Sequence, residues 1–136
     1  MLALKGQLSI EVLIIAALSL ALLSVSIASL SMLVQGAAQK FEQRDAHSSL
    51  EKISLAAESV CLMGEGNRRL VEIPIENFTL AYENNSLSLY YKNAHASAKA
   101  PCEIALGEAE AGEAAFFEKT LYVFYANGKA AIKGAN

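Results

Sequence analysis

Charge is absent from a long stretch of this sequence. No Asp, Glu, Lys or Arg occurs in the 28 residues from Val12 to Gln39. Proline is missing from the same run, and its single glycine is Gly36. A helix of this length is about 42 Å long, which exceeds the ~30 Å hydrocarbon core of a bilayer. The run therefore predicts one continuous helix, and its apolar part, Leu8 to Val34, is sufficient to span a membrane.

Patterns that carry catalysis or cofactor binding are also missing. There is no glycine-rich phosphate loop and no G-x-S-x-G. The histidines and cysteines match no compact zinc-ligand spacing; they are His47, His95, Cys61 and Cys102. EF-hand spacing is absent, so a solvated acidic loop is expected for Glu103, Glu108, Glu110 and Glu113. The sequence predicts a protein that is not an enzyme and has no cofactor or metal.

Basic clusters are small as well. The net charge is −3, and no Lys/Arg cluster exceeds Arg68-Arg69, which argues against nucleic acid as a partner. Apart from Lys5 and Glu11, every charged residue lies from Lys40 onward, and nine of the ten aromatic residues lie between Phe78 and Tyr125. The chain therefore has an aliphatic N-terminal segment and a polar part that contains the Tyr and Phe residues.

Past Lys40 the apolar spacing still predicts a helix. One stripe follows intervals of four and three residues: Ala46, Leu50, Ile53, Ala57 and Val60. Such a stripe faces a partner layer, while charged residues take the other faces. Gly64 and Gly66 are stop signals. We therefore expect one helix from about Gln7 to Met63, apolar all round in its first half and on one side in its second.

From Arg69 onward the pattern is typical of strands. A hairpin turn is expected at Glu83–Ser86, and Asn127-Gly128 is the strongest short hairpin signal. We expect a further strand over Ser97–Ile104 and a loop over Ala105–Ala115. The remaining predicted strands are Leu70–Ile75, Phe78–Tyr82, Leu87–Tyr91, Leu121–Tyr125 and Ala130–Ile132. The predicted fold is α+β: a long N-terminal helix with a head formed by one small antiparallel β-sheet of five or six strands, packed on the second half of the helix.

Two ordinary interpretations of the apolar segment leave features unexplained. A secretory signal peptide could be cut at Ser26-Ile27-Ala28, but the apolar run continues past Ala28. A plain membrane anchor would keep Lys5 and the amino terminus in the cytoplasm under the positive-inside rule. It gives no reason for Glu11, because a carboxylate in a transmembrane helix is costly.

The opening residues carry a resemblance. Lys5-Gly6-Gln7-Leu8-Ser9-Ile10-Glu11, followed by an aliphatic run, resembles the class III signal peptide of archaeal type IV pilins. That family has a basic residue and Gly, then Gln-x-Ser-x-Glu, then aliphatic residues that usually reach a Leu. Gly6, Gln7, Ser9 and Glu11 match in place, whereas Ile15 stands where the Leu is usual.

The resemblance implies cleavage after Gly6 by a membrane prepilin peptidase, so that Gln7 starts the mature chain. Glu11 would then be able to pair with the terminal amine of a neighbouring subunit. The helix would be held in the membrane first, with its N-terminus cytoplasmic, and would later join other pilin subunits in a surface filament, either an adhesive pilus or an archaellum. The expected organisation is leader 1–6, membrane and filament-core helix 7–39, amphipathic continuation 40–66 and extracellular β-rich head 67–136.

Small residues also recur along the apolar helix at intervals of four and three: Ala17, Ala21, Ser24, Ala28 and Ser31. Such a face lets helix backbones approach closely in apolar surroundings, so we expect it to mediate subunit packing. The alternative function is a single-pass, membrane-anchored extracellular binding protein that does not polymerise.

Export of the head would allow two covalent modifications, a disulfide and glycosylation. An even pair of cysteines, Cys61 and Cys102, favours a disulfide from the helix end to the sheet over two buried free thiols. Two sequons occur, Asn77-Phe78-Thr79 and Asn84-Asn85-Ser86, and both are candidate glycan acceptors. Asn84 is the better placed of the two, because it lies in an expected turn.

Overall fold

The computed structural model describes residues 2–107 and 112–135, with side chains from Ser9 onward. One helix, α1 (Leu2–Met63), precedes eight strands in this part of the chain. The strands are β1 (Arg68–Glu72), β2 (Phe78–Glu83), β3 (Ser86–Tyr91), β4 (Ala94–Lys99), β5 (Ile104–Leu106), β6 (Glu113–Phe116), β7 (Thr120–Ala126) and β8 (Lys129–Gly134). The chain divides into two compact units, Met1–Ala38 and Gln39–Asn136. The second unit is called the head unit below.

The long helix is confirmed and ends where the glycines predict, but it begins at Leu2, before the expected start at about Gln7. Gly64 follows α1 with a φ of +80°, a conformation that glycine adopts without steric cost, and its N–H donates to the Val60 carbonyl at 3.0 Å. Asn67 Nδ2 donates to the carbonyl oxygens of Met63 at 3.0 Å and Gly64 at 3.1 Å. Carbonyl groups left free at the end of the helix are thereby satisfied.

The α+β class is confirmed, but the prediction of one sheet of five or six strands is wrong. Among the described residues the strands form two four-stranded sheets, with orders β1-β7-β8-β5 and β4-β3-β2-β6. Five of the six strand pairs are antiparallel, and β5 pairs with β8 in parallel. The alternation of apolar residues along a strand shows its buried face but does not identify its partner, so the two-sheet arrangement was not predicted.

Several boundaries differ from the sequence-based expectation. The strand expected over Leu70–Ile75 is β1, which spans Arg68–Glu72. The strand expected over Ser97–Ile104 is wrong, because β4 ends at Lys99 and β5 begins at Ile104. Pro101 lies between them, has no N–H to donate, and marks the passage from one sheet to the other. The loop expected over Ala105–Ala115 is wrong at both ends, where β5 and β6 are strands; residues 108–111 lie outside the described part.

Both predicted hairpins are confirmed. Asn84 and Asn85 have φ values of 52° and 59°, and they join the paired residues Glu83 and Ser86. Asn127 and Gly128 have φ values of 55° and 79° in the equivalent turn from β7 to β8. Positive φ at both central residues is the requirement of a type I′ turn, which matches the twist of the flanking strands.

The predicted stripe of α1 forms one wall of the core. Ala46, Leu50, Ile53, Ala57 and Val60 are all at most 1% exposed. They belong to one cluster with inward-facing strand residues that include Leu80, Leu89, Leu121, Val123 and Ile132. Each helix residue of this stripe packs where the spacing places it, so the sheets cover one side of the second half of the helix.

The disulfide between Cys61 and Cys102 is confirmed. It joins the last turn of α1 to the segment between β4 and β5, and the two Cα atoms are 6.5 Å apart. This separation lies within the range that a disulfide can span. The bridge therefore ties the end of the helix to the point where the chain passes between sheets.

Candidate membrane and assembly helix

The first half of α1 presents apolar side chains in every direction. All residues from Ser9 to Ala38 are exposed, and Leu13, Leu22 and Met32 are 65%, 70% and 74% exposed. The helix is long and apolar enough to cross a membrane. A soluble monomer rarely exposes so large a continuous apolar surface, so this segment is suited to lipid or to other apolar helices.

Five serine hydroxyls within this segment are satisfied internally. The O–H groups of five serines donate to carbonyl oxygens three or four residues earlier, at 2.8–2.9 Å; the serines are Ser19, Ser24, Ser26, Ser29 and Ser31. In hydrocarbon an unpaired hydroxyl is costly, and bonding to the preceding turn removes that cost. The serines therefore leave the segment compatible with an apolar environment.

The predicted small-residue face is exposed throughout its length. Ala17, Ala21 and Ala28 project no more than a methyl group, and the hydroxyls of Ser24 and Ser31 are turned to their own helix. The face thus offers a shallow surface with satisfied polar atoms, which is the kind of surface that allows close helix approach. Its role in subunit packing stays a prediction.

The predicted processing residues are placed only in part. The side chains of Lys5, Gly6 and Gln7 lie outside the described part, whereas Ser9 and Glu11 are exposed on α1. Of the two salt bridges among the described residues, neither includes Glu11. Cleavage after Gly6 and pairing of Glu11 with a neighbouring amine stay predictions.

Sequence reasoning missed an exposed apolar line in the head unit. Phe41, Leu55 and Leu62 are 63%, 58% and 81% exposed, although they belong to the same helix as the buried stripe. With Ser48 they stand seven residues apart, and seven residues are close to two helical turns, so all four lie along one side of α1. That seven-residue spacing was the signal that could have found them. These four residues are called the heptad line below.

The histidines and cysteines are not assembled into one site. His47 lies in a shallow groove of the head unit with Leu50, Leu55 and Ala98, whereas the His95 ring stacks on Tyr90 with centroids 4.7 Å apart. Cys61 and Cys102 are joined to each other. In the part of the chain that the structure describes, no three His, Cys, Asp or Glu side chains are grouped closely enough to hold a metal ion.

The acidic stretch is divided among different surroundings. Glu103 Oε1 contacts Lys129 Nζ at 2.8 Å, and this hydrogen bond and ion pair raise the pKa of Lys129. Glu113 begins β6, while Glu108 and Glu110 lie outside the described residues.

A second ion pair joins Lys92 to Glu42 at 3.8 Å. The pKa of Lys92 is raised mainly by Tyr91 and then by Glu42.

Both sequon asparagines are exposed. Asn84 is the first central residue of the β2–β3 turn, and Asn77 directly precedes β2. The hydroxyl of Ser86, the third residue of the Asn84 sequon, contacts Ser97 Oγ at 3.0 Å and the Ala98 carbonyl at 3.3 Å. Glycan attachment at either asparagine stays a prediction.

Comparisons with protein-family models, with curated proteins and with solved structures find no match to this chain.

Proposed function

We propose that this protein is a structural subunit, major or minor, of an archaeal type IV pilus-like surface filament. It would be made as a precursor, held in the membrane by α1, cut after Gly6 by a prepilin peptidase and assembled through its apolar N-terminal helix. The observation that carries the proposal is the exposure of every residue from Ser9 to Ala38 on a mainly apolar helix. Such a surface needs lipid before assembly and other helices after it.

The position of the proposed cut supports this function. An ordinary signal peptidase would remove the apolar segment, whereas cleavage after Gly6 removes six residues and keeps the helix on the mature chain. The head unit supports it too, because the Cys61–Cys102 bridge suits an oxidising location outside the cell. The filament could be an adhesive pilus or an archaellum.

The first test is the chemical identity of the mature N-terminus. We expect intact-mass measurement and N-terminal sequencing of the protein from its native host to show Gln7 as the first residue. Sheared surface filaments should contain the same processed chain when their subunits are identified by mass spectrometry. Surface protein that still begins at Met1 and is recovered only as a membrane-bound monomer would instead favour an anchored extracellular binding protein.

The second test concerns Glu11. Glu11→Ala should reduce filament yield while leaving the amount of membrane-inserted precursor unchanged, because the carboxylate is proposed to pair with the amine of Gln7 in a neighbour. Glu11→Gln is the matched variant for charge, since it keeps the size and shape of the side chain, removes its charge and replaces one acceptor oxygen with a donor NH2 group. Normal filament yield from both variants would refute the role given to this carboxylate.

A further inference from the structure

The heptad line lies on the side of α1 that the head leaves uncovered. In the head unit the buried stripe Ala46–Val60 faces the sheets, and the heptad line, at 100° per residue, lies on the opposite side of the helix. Phe41, Leu55 and Leu62 are each more than half exposed, and Ser48 is the only polar member of the line. Exposed apolar residues at a sustained seven-residue spacing are the pattern by which one helix packs along another.

A row of charged residues runs beside the heptad line, and each of them lies three positions after a member of that line. Arg44, Glu51 and Glu58 are exposed and are also seven residues apart. Neither of the two salt bridges among the described residues includes them. Within one helix, Arg44 and Glu58 are separated by about 21 Å, so they are too far apart to pair with each other. This row of charged residues therefore places a cation beside the N-terminal end of the heptad line and two carboxylates nearer its C-terminal end.

We propose that the heptad line binds the heptad line of a second copy of this chain, in parallel and displaced by two heptads. This inference rests on the proposed function, because subunits that all insert by the same N-terminal helix share one direction in a filament. The displacement is about 21 Å along the helix axis. It places Phe41 beside Leu55, Arg44 beside Glu58 and Ser48 beside Leu62 of the neighbour.

Charge selects this displacement over the other parallel registers. With no displacement, Arg44 lies beside Arg44 and Glu58 beside Glu58, so like charges repel along the whole contact. A displacement of one heptad pairs Arg44 with Glu51 but brings Glu51 beside Glu58. Only the two-heptad register joins opposite charges along the line without a like-charged pair among these three positions, and like charges at an interface are a strong determinant of register.

The apolar contacts distinguish the two-heptad register from the one-heptad register, while charge alone excludes the register without displacement. Phe41 has the largest side chain of the line, and a two-heptad shift sets it against Leu55 instead of against Ser48. Burying an exposed Phe or Leu side chain removes apolar surface from water and so favours association. The line therefore combines an apolar contact with a charge pair that defines the axial position of the neighbour.

A zero-length cross-link tests the register directly. In assembled filaments of Arg44→Lys, carbodiimide treatment should join the new amine to the Glu58 carboxylate, and mass spectrometry should identify the linked peptides. A bond of this kind within one helix is excluded by the separation of about 21 Å, so a 44–58 link joins two copies. The link should disappear when the filaments are dissociated in detergent before treatment. Filaments that give a 44–51 link instead, or neither link, would overturn the inference.

Charge exchange provides the functional readout. Arg44→Glu and Glu58→Arg should each reduce filament yield by about tenfold, which corresponds to roughly 1.4 kcal/mol per contact, and the double variant should restore it. Glu76 is an exposed carboxylate of the head unit outside α1, so Glu76→Arg is the control and should leave the yield unchanged. Equal yields from all variants would overturn the inference.

The two proposals fail in different ways. If the processed wild-type chain forms no polymer, both the proposed filament function and the inference about the heptad line are refuted. If filaments form but lack the 44–58 link and tolerate both charge reversals, only the inference about the heptad line is refuted. The Cys61–Cys102 bridge and resistance to proteolysis, measured on each variant, show that a loss of assembly is not a loss of folding.

Discussion

Gln43 on α1 pairs with the backbone of His95 on β4. The amide Nε2 donates to the His95 carbonyl at 2.6 Å, and the His95 N–H donates to Gln43 Oε1 at 3.4 Å. Because β4 is an edge strand of its sheet, its outer backbone groups are open to pairing with another chain. The side chain of Gln43 thus occupies the position that the backbone of an added strand would take.

Removing this amide should weaken the head. We expect Gln43→Ala to lower the free energy of unfolding by about 1 kcal/mol, because the His95 carbonyl and N–H lose their partners. Denaturant unfolding of the full chain in detergent, followed by circular dichroism, measures the change. Arg44→Ala is the control at the next position, where the exposed side chain should contribute less than about 0.5 kcal/mol. Identical midpoints for the two variants would contradict the structural role of Gln43.

The disulfide should be a main source of head stability. The bridge spans a sequence separation of 41 residues. In the chain-entropy account, closing a loop of this size contributes about 4 kcal/mol. The double variant Cys61→Ser/Cys102→Ser should therefore unfold at a much lower denaturant concentration than the oxidised protein. Reduced wild type should match the double variant, and a reductant that leaves the unfolding midpoint of the wild type unchanged would disprove the expectation.

Gly112 is expected to tolerate no side chain. Its carbonyl accepts a hydrogen bond from the Tyr82 N–H at 2.5 Å, and a Cβ added at Gly112 would overlap the Tyr82 carbonyl oxygen. Because the overlapping atom belongs to the backbone of β2, Gly112→Ala should displace the strand and cost about 1–3 kcal/mol. Gly36→Ala is the matched control, since a Cβ there meets nothing within 4 Å. Equal thermal stability of both variants would refute the steric argument.

Substitutions at two nearby residues of α1 should distinguish an effect on folding from an effect on assembly. Ile53 is fully buried in the core, whereas Leu55 is 58% exposed on the heptad line. Ile53→Ala should cost about 2–5 kcal/mol of head stability, because it leaves a cavity. Leu55→Ala should change unfolding by less than about 0.5 kcal/mol but reduce filament yield. Unfolding in detergent and filament yield are measured on both variants; a large loss of stability in Leu55→Ala would place this side chain in the fold instead.

The sequence predicted the features of the fold that depend on neighbours along the chain. The continuity of the helix followed from its spacing and its end from Gly64, and the hairpins followed from Asn84-Asn85 and Asn127-Gly128. It did not predict the division into two sheets, because pairing β5 with β8 or β1 with β7 depends on contacts between residues far apart in the chain. The strand predicted across Pro101 failed for the same reason, since its two ends have different partners.

The same contrast between local sequence and long-range contacts applies to the candidate membrane and assembly helix. By itself the sequence determined that Val12–Gln39 is apolar without charge and that a Gly-Gln-x-Ser-x-Glu motif precedes it, because both are matters of composition and order. The spacing of apolar residues in the later helix predicted that the stripe containing Ile53 is buried. Only the tertiary structure decided that Leu55, outside that stripe, stays more than half exposed. Ile53 and Leu55 are equally apolar in the sequence, and the packing of the two sheets buries one while it leaves the other exposed. Burial depends on what packs against a residue, and packing is decided by long-range contacts.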